Sequence, residues 1–173
     1  DKAKQLAEAR SVPSTTNGVS CSGYLASVTS QEENDLIFNA VLGRAWIGAK
    51  ASTTNGDGDW EWSGGPEDGE VFWTGGSGGI VQNSLYANWD SGQPDSAQLY
   101  GVIGYTSDGK WDNQHQYQNG NKYVVEYGTD SCEPAVKAVR YSDDLYGYFS
   151  DANVQYPSSD DGDKQIETGT DTV

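Results

Sequence analysis

Between Ser52 and Asp95 the chain shows no regular apolar period. Gly, Asp, Asn and Ser dominate, and one run reads Gly75-Gly76-Ser77-Gly78-Gly79. A long stretch without secondary structure is uncommon inside a compact domain and is usually functional where it occurs. This one is punctuated by Trp60, Trp62, Phe72, Trp73, Tyr86 and Trp89. Large rings bury enough apolar area to order a loop around themselves. The expectation is an ordered loop packed by its own side chains and held by flanking scaffold. With 6 Trp and 11 Tyr, the composition is that of a folded, turn-rich domain rather than a disordered one.

The flanks supply that scaffold. Residues 1–10 are strong helix formers, with Ala3, Leu6, Ala7 and Arg10 on one face. Ser11 to Ser22 reads as a polar loop, and Gly23 to Val28 alternates as a strand. Thr29 or Ser30 can cap a second helix, with Glu32 or Glu33 completing the capping box. That helix turns Leu36, Ile37, Ala40, Val41 and Leu42 inward and stops at Gly43. Ala45 to Ala49 is a short buried strand. Leu99 to Tyr105, Lys110-Trp111 and Tyr123 to Tyr127 read as three more, the last preceded by an Asn119-Gly120-Asn121 turn.

After Gly128 the composition shifts. The expected organisation is a main domain over 1–130, an extension over 131–157 and a flexible acidic linker over 158–173. Val136 to Tyr141 and Leu145 to Phe149 are candidate strands of the extension. Val136 to Tyr141 is placed to pair antiparallel with the closing strand and cover its edge. The chain contains no Met, so it is expected to be an excerpt of a longer modular or processed polypeptide.

The formal net charge is -16, from 10 Lys plus Arg against 26 Asp plus Glu. Such a surface repels phosphate backbones and anionic lipid and favours cations, so neither nucleic acid nor membrane insertion is expected. No apolar run approaches the roughly 20 residues of a membrane helix. Enzymatic activity is not expected either. No Gly-x-Ser-x-Gly elbow opens a helix, the glycine run lacks a following Gly-Lys-Ser/Thr, and a single histidine, His115, gives zinc little support. His115 reads either as a rim residue or as an exposed loop residue. Cys21 and Cys132 lie far apart; they are either a disulfide of an oxidising compartment or two buried thiols.

Oxygen donors concentrate in two neighbouring places. One is Asn88-Trp89-Asp90-Ser91-Gly92-Gln93-Pro94-Asp95 with Gln98; the other is Asp108-Gly109-Lys110-Trp111-Asp112-Asn113. Calcium takes six to eight such oxygens from carboxylates, amides and water. The same residue types also populate ordinary turns. A cis proline at Pro94 would let Gln93 and Asp95 point the same way. Asp57-Gly58-Asp59 reads either as a second cation site or as a hydrated turn. Asp143-Asp144, Asp151 and Asp160-Asp161 read either as cation ligands or as a solvated acidic face.

The order of motifs resembles a C-type lectin-like domain of bacterial type. Gly23 to Asn34 looks like that family's strand into its second helix, and Trp46-Ile47-Gly48-Ala49 matches its core strand. Trp60-Glu61-Trp62 with Gly65-Pro66 is similar to its long-loop entrance. Asn88-Trp89 through Asp95 resembles its Asn-Trp-x-x-Gly-Glu-Pro-Asn segment, and Tyr123 to Tyr127 its closing strand. The resemblance implies an α+β fold of two helices, two small antiparallel sheets and a long loop that often binds calcium, here with a C-terminal β extension. It implies calcium as cofactor and cell-surface glycans as partners of an extracellular, secreted or cell-surface adhesin module. Carried over, Gln93, Asp95, Gln98, Asp112 and Asn113 would bind both metal and sugar. Gln-Pro-Asp tends to accompany galactose-type ligands, so galactose, N-acetylgalactosamine and then fucose is the expected order.

The departures are specific. Gln98 stands where the family usually has Glu, which removes a charge and keeps a carbonyl oxygen. Asp112-Asn113 reverses the usual Asn-Asp order, so metal ligand and sugar contact could trade places. Both keep open an alternative, a domain of this fold that binds protein or ice without sugar. Cys21 lies near the family's first loop cysteine, but the partner position in the closing strand is Val125, so a bridge to Cys132 would be shifted.

Overall fold

The second helix shows how local signals set the frame. Ser30 is its N-cap and accepts the Glu33 amide on Oγ at 3.1 Å. Glu33 reaches past the cap, accepting the Thr29 amide at 2.7 Å and the Thr29 hydroxyl at 3.0 Å. One orphan donor of the helix start, the Glu33 amide, is thus satisfied by Ser30, while Glu33 fixes the residue that enters the cap. Across the sheet, the buried Glu126 accepts the Ser27 amide at 3.2 Å. Two buried carboxylates therefore hold the crossing between the second strand and the second helix.

The structure, a computed structural model, describes residues 2–14, 20–53, 57–95, 98–115, 122–128 and 132, and the backbone of 140–142, 154–155 and 166–167. Helix α1 is Lys2–Glu8 and α2 is Gln31–Val41. The strands are β1 Ser11–Pro13, β2 Ser20–Leu25, β3 Ala45–Ala51, β4 Asp59–Trp62, β5 Val71–Thr74, β6 Ile80–Val81, β7 Tyr100–Ile103 and β8 Trp111–Gln114. They continue with β9 Lys122–Tyr127, β10 Arg140–Ser142, β11 Val154–Gln155 and β12 Ile166–Glu167. The expected Asn119-Gly120-Asn121 turn, the strand over Leu145 to Phe149 and the acidic positions Asp143, Asp144, Asp151, Asp160 and Asp161 lie outside the described residues.

Strand β3 is the hub. It pairs antiparallel with β4 and β7 and parallel with β9. Strand β9 in turn pairs antiparallel with β2 and with β10. A meander β4-β5-β6 runs to one edge of the sheet, and β7 carries β8 as an antiparallel neighbour. Helices α1 and α2 with this sheet make the α+β class. One core cluster lies around α2, β3 and the long-loop rings; the other joins α1, β2, β7 and β9.

The structure corrects several expectations. Ser11 to Ser22 is not all loop, because Val12 is buried opposite Cys21 and forms the β1–β2 pair. The long loop is not strandless: Trp60, Trp62 and Phe72 alternate inward and pull β4 and β5 into the sheet. Leu42 does not face inward. It is the C-cap of α2 at φ 46°, a left-handed conformation that turns its side chain off the buried face, and it is 78% exposed.

Cys21 and Cys132 are joined by a disulfide that spans 111 residues of sequence and ties β2 to the segment beyond β9. In the chain-entropy account, closing a loop this long removes about 4–5 kcal/mol of unfolded-state freedom. Replacing both cysteines with Ser is expected to lower unfolding free energy by up to that amount in a urea titration. Leu42→Gly is expected to raise it by about 1 kcal/mol, since glycine adopts the left-handed region without the Cβ clash.

Candidate functional site

The site begins at Trp111. Its ring is fully buried among Trp62, Phe72, Tyr86 and Trp89, with centroids 5.6–6.0 Å away. Its indole N–H donates to Asn34 Oδ1 on α2 at 2.6 Å. Its backbone straps down the end of the long loop, donating to the Asn88 carbonyl at 2.8 Å and accepting the Asp90 amide at 2.8 Å. Gly109, at φ +72°, makes the turn before it. The Gly109 carbonyl accepts from both Asn34 and Asn88 at 3.2 Å. Lys110 Nζ donates to Asn88 Oδ1 at 2.6 Å. Helix, turn and loop thereby share one polar network.

Two residues past Trp111 the strap becomes the oxygen-rich site. The Gln93–Pro94 bond is cis. The Asp95 amide donates to Gln93 Oε1 and to Asn113 Oδ1, both at 2.9 Å. Gln98 Nε2 donates to Asp95 Oδ1 at 3.0 Å. Asn113 Nδ2 donates to the Asp95 carbonyl at 2.9 Å and the Gln98 carbonyl at 2.8 Å. Asp112 accepts the Asn113 amide on Oδ1 at 2.8 Å and Gln114 Nε2 on Oδ2 at 2.6 Å. Gln93, Asp95, Gln98, Asp112 and Asn113 thus form one connected group.

Its members differ in access. Asp95 is exposed and Gln93 and Gln98 are half-buried, whereas Asp112 and Asn113 are buried. Burial pushes the Asp112 carboxyl above the usual carboxylate range. The bonds from Gln114 and the Asn113 amide pull it back, and the charge of Asp95 raises it again. Two carboxylates and several amide oxygens, held where their charges oppose one another, are a donor set suited to a hard cation. Among the described residues no three His, Cys, Asp or Glu side chains cluster as a metal site, so such a cation would rely on the amides.

Gln114 went unnoticed in sequence because a glutamine after an Asp-Asn pair carries no motif; only burial reveals that it holds Asp112. The Asn34 link to Trp111 spans 77 positions and leaves no local trace. His115 is exposed. At the second candidate cation turn, Asp57 is exposed and Asp59 Oδ1 accepts the Thr74 hydroxyl at 2.7 Å.

A small α+β module with a ring-packed long loop and a polar site beside it is the architecture expected of a C-type lectin-like domain. The chain belongs to the C-type lectin domain family, whose model, described as Lectin C-type domain, matches residues 19–125. It is 38% identical over 135 residues to Halomucin of Haloquadratum walsbyi (strain DSM 16790 / HBSQ001), an alignment covering 76% of this chain. The chain spans only 1% of that protein's length. Among solved structures it matches the structure of the EPNH mutant of CEL-I, with 22% identity and a TM-score of 0.46. That match covers 72% of this chain and 76% of the other.

The coupling between the two carboxylates is measurable. Because the folded-state value of Asp112 is raised, its contribution to stability is present below the unfolded value and lost as pH rises through the folded one. Asp95→Asn removes the repelling charge. In metal-free buffer the Asp112 midpoint, followed by carboxyl-carbon NMR, is expected to fall in that variant; an unchanged or higher midpoint contradicts the coupling.

Proposed function

We propose that this domain binds carbohydrate in a calcium-dependent manner and serves as a non-enzymatic ligand-binding module of a longer extracellular or cell-surface adhesin. The observation that carries the reading is the placement of Asp95 and Asp112 in one hydrogen-bonded unit with the amides of Gln93 and Gln98. Calcium would be held by oxygens of these residues. When bound, the ion supplies a positive charge that takes up sugar hydroxyl oxygens. The protein's own contribution is to aim acceptors and donors at the same hydroxyls: Asp95 accepts, and the Gln93 and Gln98 amides donate. The Gln-Pro-Asp sequence supports galactose, N-acetylgalactosamine or fucose as the glycan class. The Cys21–Cys132 disulfide supports an oxidising, extracellular setting. Among the described residues no helix is long and apolar enough to cross a membrane.

The alternative, protein or ice binding without sugar, draws on one feature of the site, that both oxygens of Asp112 already accept hydrogen bonds. A glycan array read with calcium and again with EDTA separates the two. Binding to galactose-type glycans that disappears on chelation is expected; no glycan binding, or binding indifferent to EDTA, refutes calcium-dependent recognition. Asp95→Ala should weaken the calcium-dependent binding at least tenfold, about 1.4 kcal/mol, with the near-ultraviolet circular dichroism of the Trp cluster unchanged.

A further inference from the structure

Both N–H donors of the Asn113 side chain are committed within the protein, and its buried carbonyl already accepts one peptide amide. An Asn amide offers two N–H donors and one carbonyl. Both donors are used, on the Asp95 and Gln98 carbonyls, and the carbonyl accepts the Asp95 amide. The residue has 0% exposure. No N–H remains for a sugar hydroxyl, and the carbonyl is turned onto a peptide amide rather than outward. The backbone groups it engages are those at both ends of segment 95–98. One side chain therefore fastens both Asp95 and Gln98 to β8.

We infer that Asn113 is a positioning residue that clamps the backbone of Asp95 and of Gln98 onto β8, and touches neither cation nor sugar. Its effect on binding rests on the calcium-dependent reading above; the clamp itself does not. The physical gain is preorganisation. Asp95 and Gln98 carry side chains that reach the candidate ligand, and their backbone would otherwise be ordered only on binding, at a cost to affinity. The reversed order Asp112-Asn113 follows from this division of labour. The clamp needs two donors beside an acceptor, which Asn supplies and a carboxylate does not. Asp112, an acceptor only, is left as the charged member of the pair.

Asn113→Asp separates clamp from ligand because the two roles predict opposite signs. The substitution keeps shape and one acceptor oxygen, adds a negative charge and sets an oxygen against the Asp95 and Gln98 carbonyls. A ligand at this position would hold calcium as well or better with the added charge. A clamp fails. Titration of calcium chloride into wild type and variant by calorimetry is expected to show at least tenfold weaker binding in Asn113→Asp; equal or tighter binding overturns the inference.

Amide hydrogen exchange on calcium-free protein provides the readout independent of metal. The Asp95 amide of wild type is expected to exchange at least tenfold slower than an unstructured peptide, although Asp95 itself is exposed. In Asn113→Asp that protection is expected to drop tenfold or more while β3 and β9 amides stay protected. Unprotected exchange at Asp95 in wild type overturns the clamp whether or not the variant folds. If wild type takes up no calcium, the proposed function fails, and the exchange arm alone decides the clamp.

Discussion

The buried indole of Trp111 is the constraint on which the rest of the molecule leans. Its ring meets the faces and edges of Trp62, Phe72, Tyr86 and Trp89, so the long loop closes around it. Its N–H ties that loop to α2 through Asn34, and its backbone holds residues 88–90 in register. The magnitudes favour this arrangement. A large aromatic buries 150–250 Å² at roughly 25 cal/mol per Å², several kcal/mol per ring. Ordering a backbone residue costs about 1–2 kcal/mol, so each ring offsets the ordering of a few loop residues, and the strand pairs and backbone hydrogen bonds of the loop add to it.

The consequence reaches the site within two positions. Strand β8 carries Trp111 in the core and Asp112 and Asn113 immediately after it, so the precision of the aromatic cluster is passed directly to the oxygen donors. Asp95 and Gln98 are then fastened to β8 by the side-chain amide of Asn113. A polar loop positioned by hydrogen bonds can present side chains to a ligand in a geometry that a regular strand would not allow. The acidity of the chain has a different distribution of roles. Among the described residues most charges are surface groups, whereas Glu33, Glu126 and Asp112 are buried, and the charge of Asp95 raises the Asp112 carboxyl.

Much of the fold was legible in the sequence because its signals are local. The Ser30 cap with Glu33, the Trp46-Ile47-Gly48 core strand and the alternation of β9 all depend on residues within a few positions of one another. The order of these motifs was specific enough to indicate the family. What was illegible has a common cause: it depends on partners distant in sequence. Leu42 looked like a core residue by helical spacing, yet the helix ends one residue before it and the left-handed cap turns it to solvent. Val12 looked like loop until Cys21 came opposite it. The hairpins within 59–81 were hidden because their inward rings are separated by glycines and acidic residues that mimic an irregular loop.

The site divides along the same line. Sequence alone marked two short segments rich in oxygen donors, and the resemblance to the family singled out Gln93, Asp95, Gln98, Asp112 and Asn113 within them. It also determined that rings, rather than aliphatic runs, must order the long loop. Only the tertiary structure decided what each of those side chains does. Asp112 and Asn113 are neighbours of similar size and polarity, but one meets hydrogen-bond donors and the other the peptide groups of Asp95 and Gln98. That difference is set by which backbone groups the loop places against β8, and backbone proximity across 15–18 positions is a property of packing, not of local sequence.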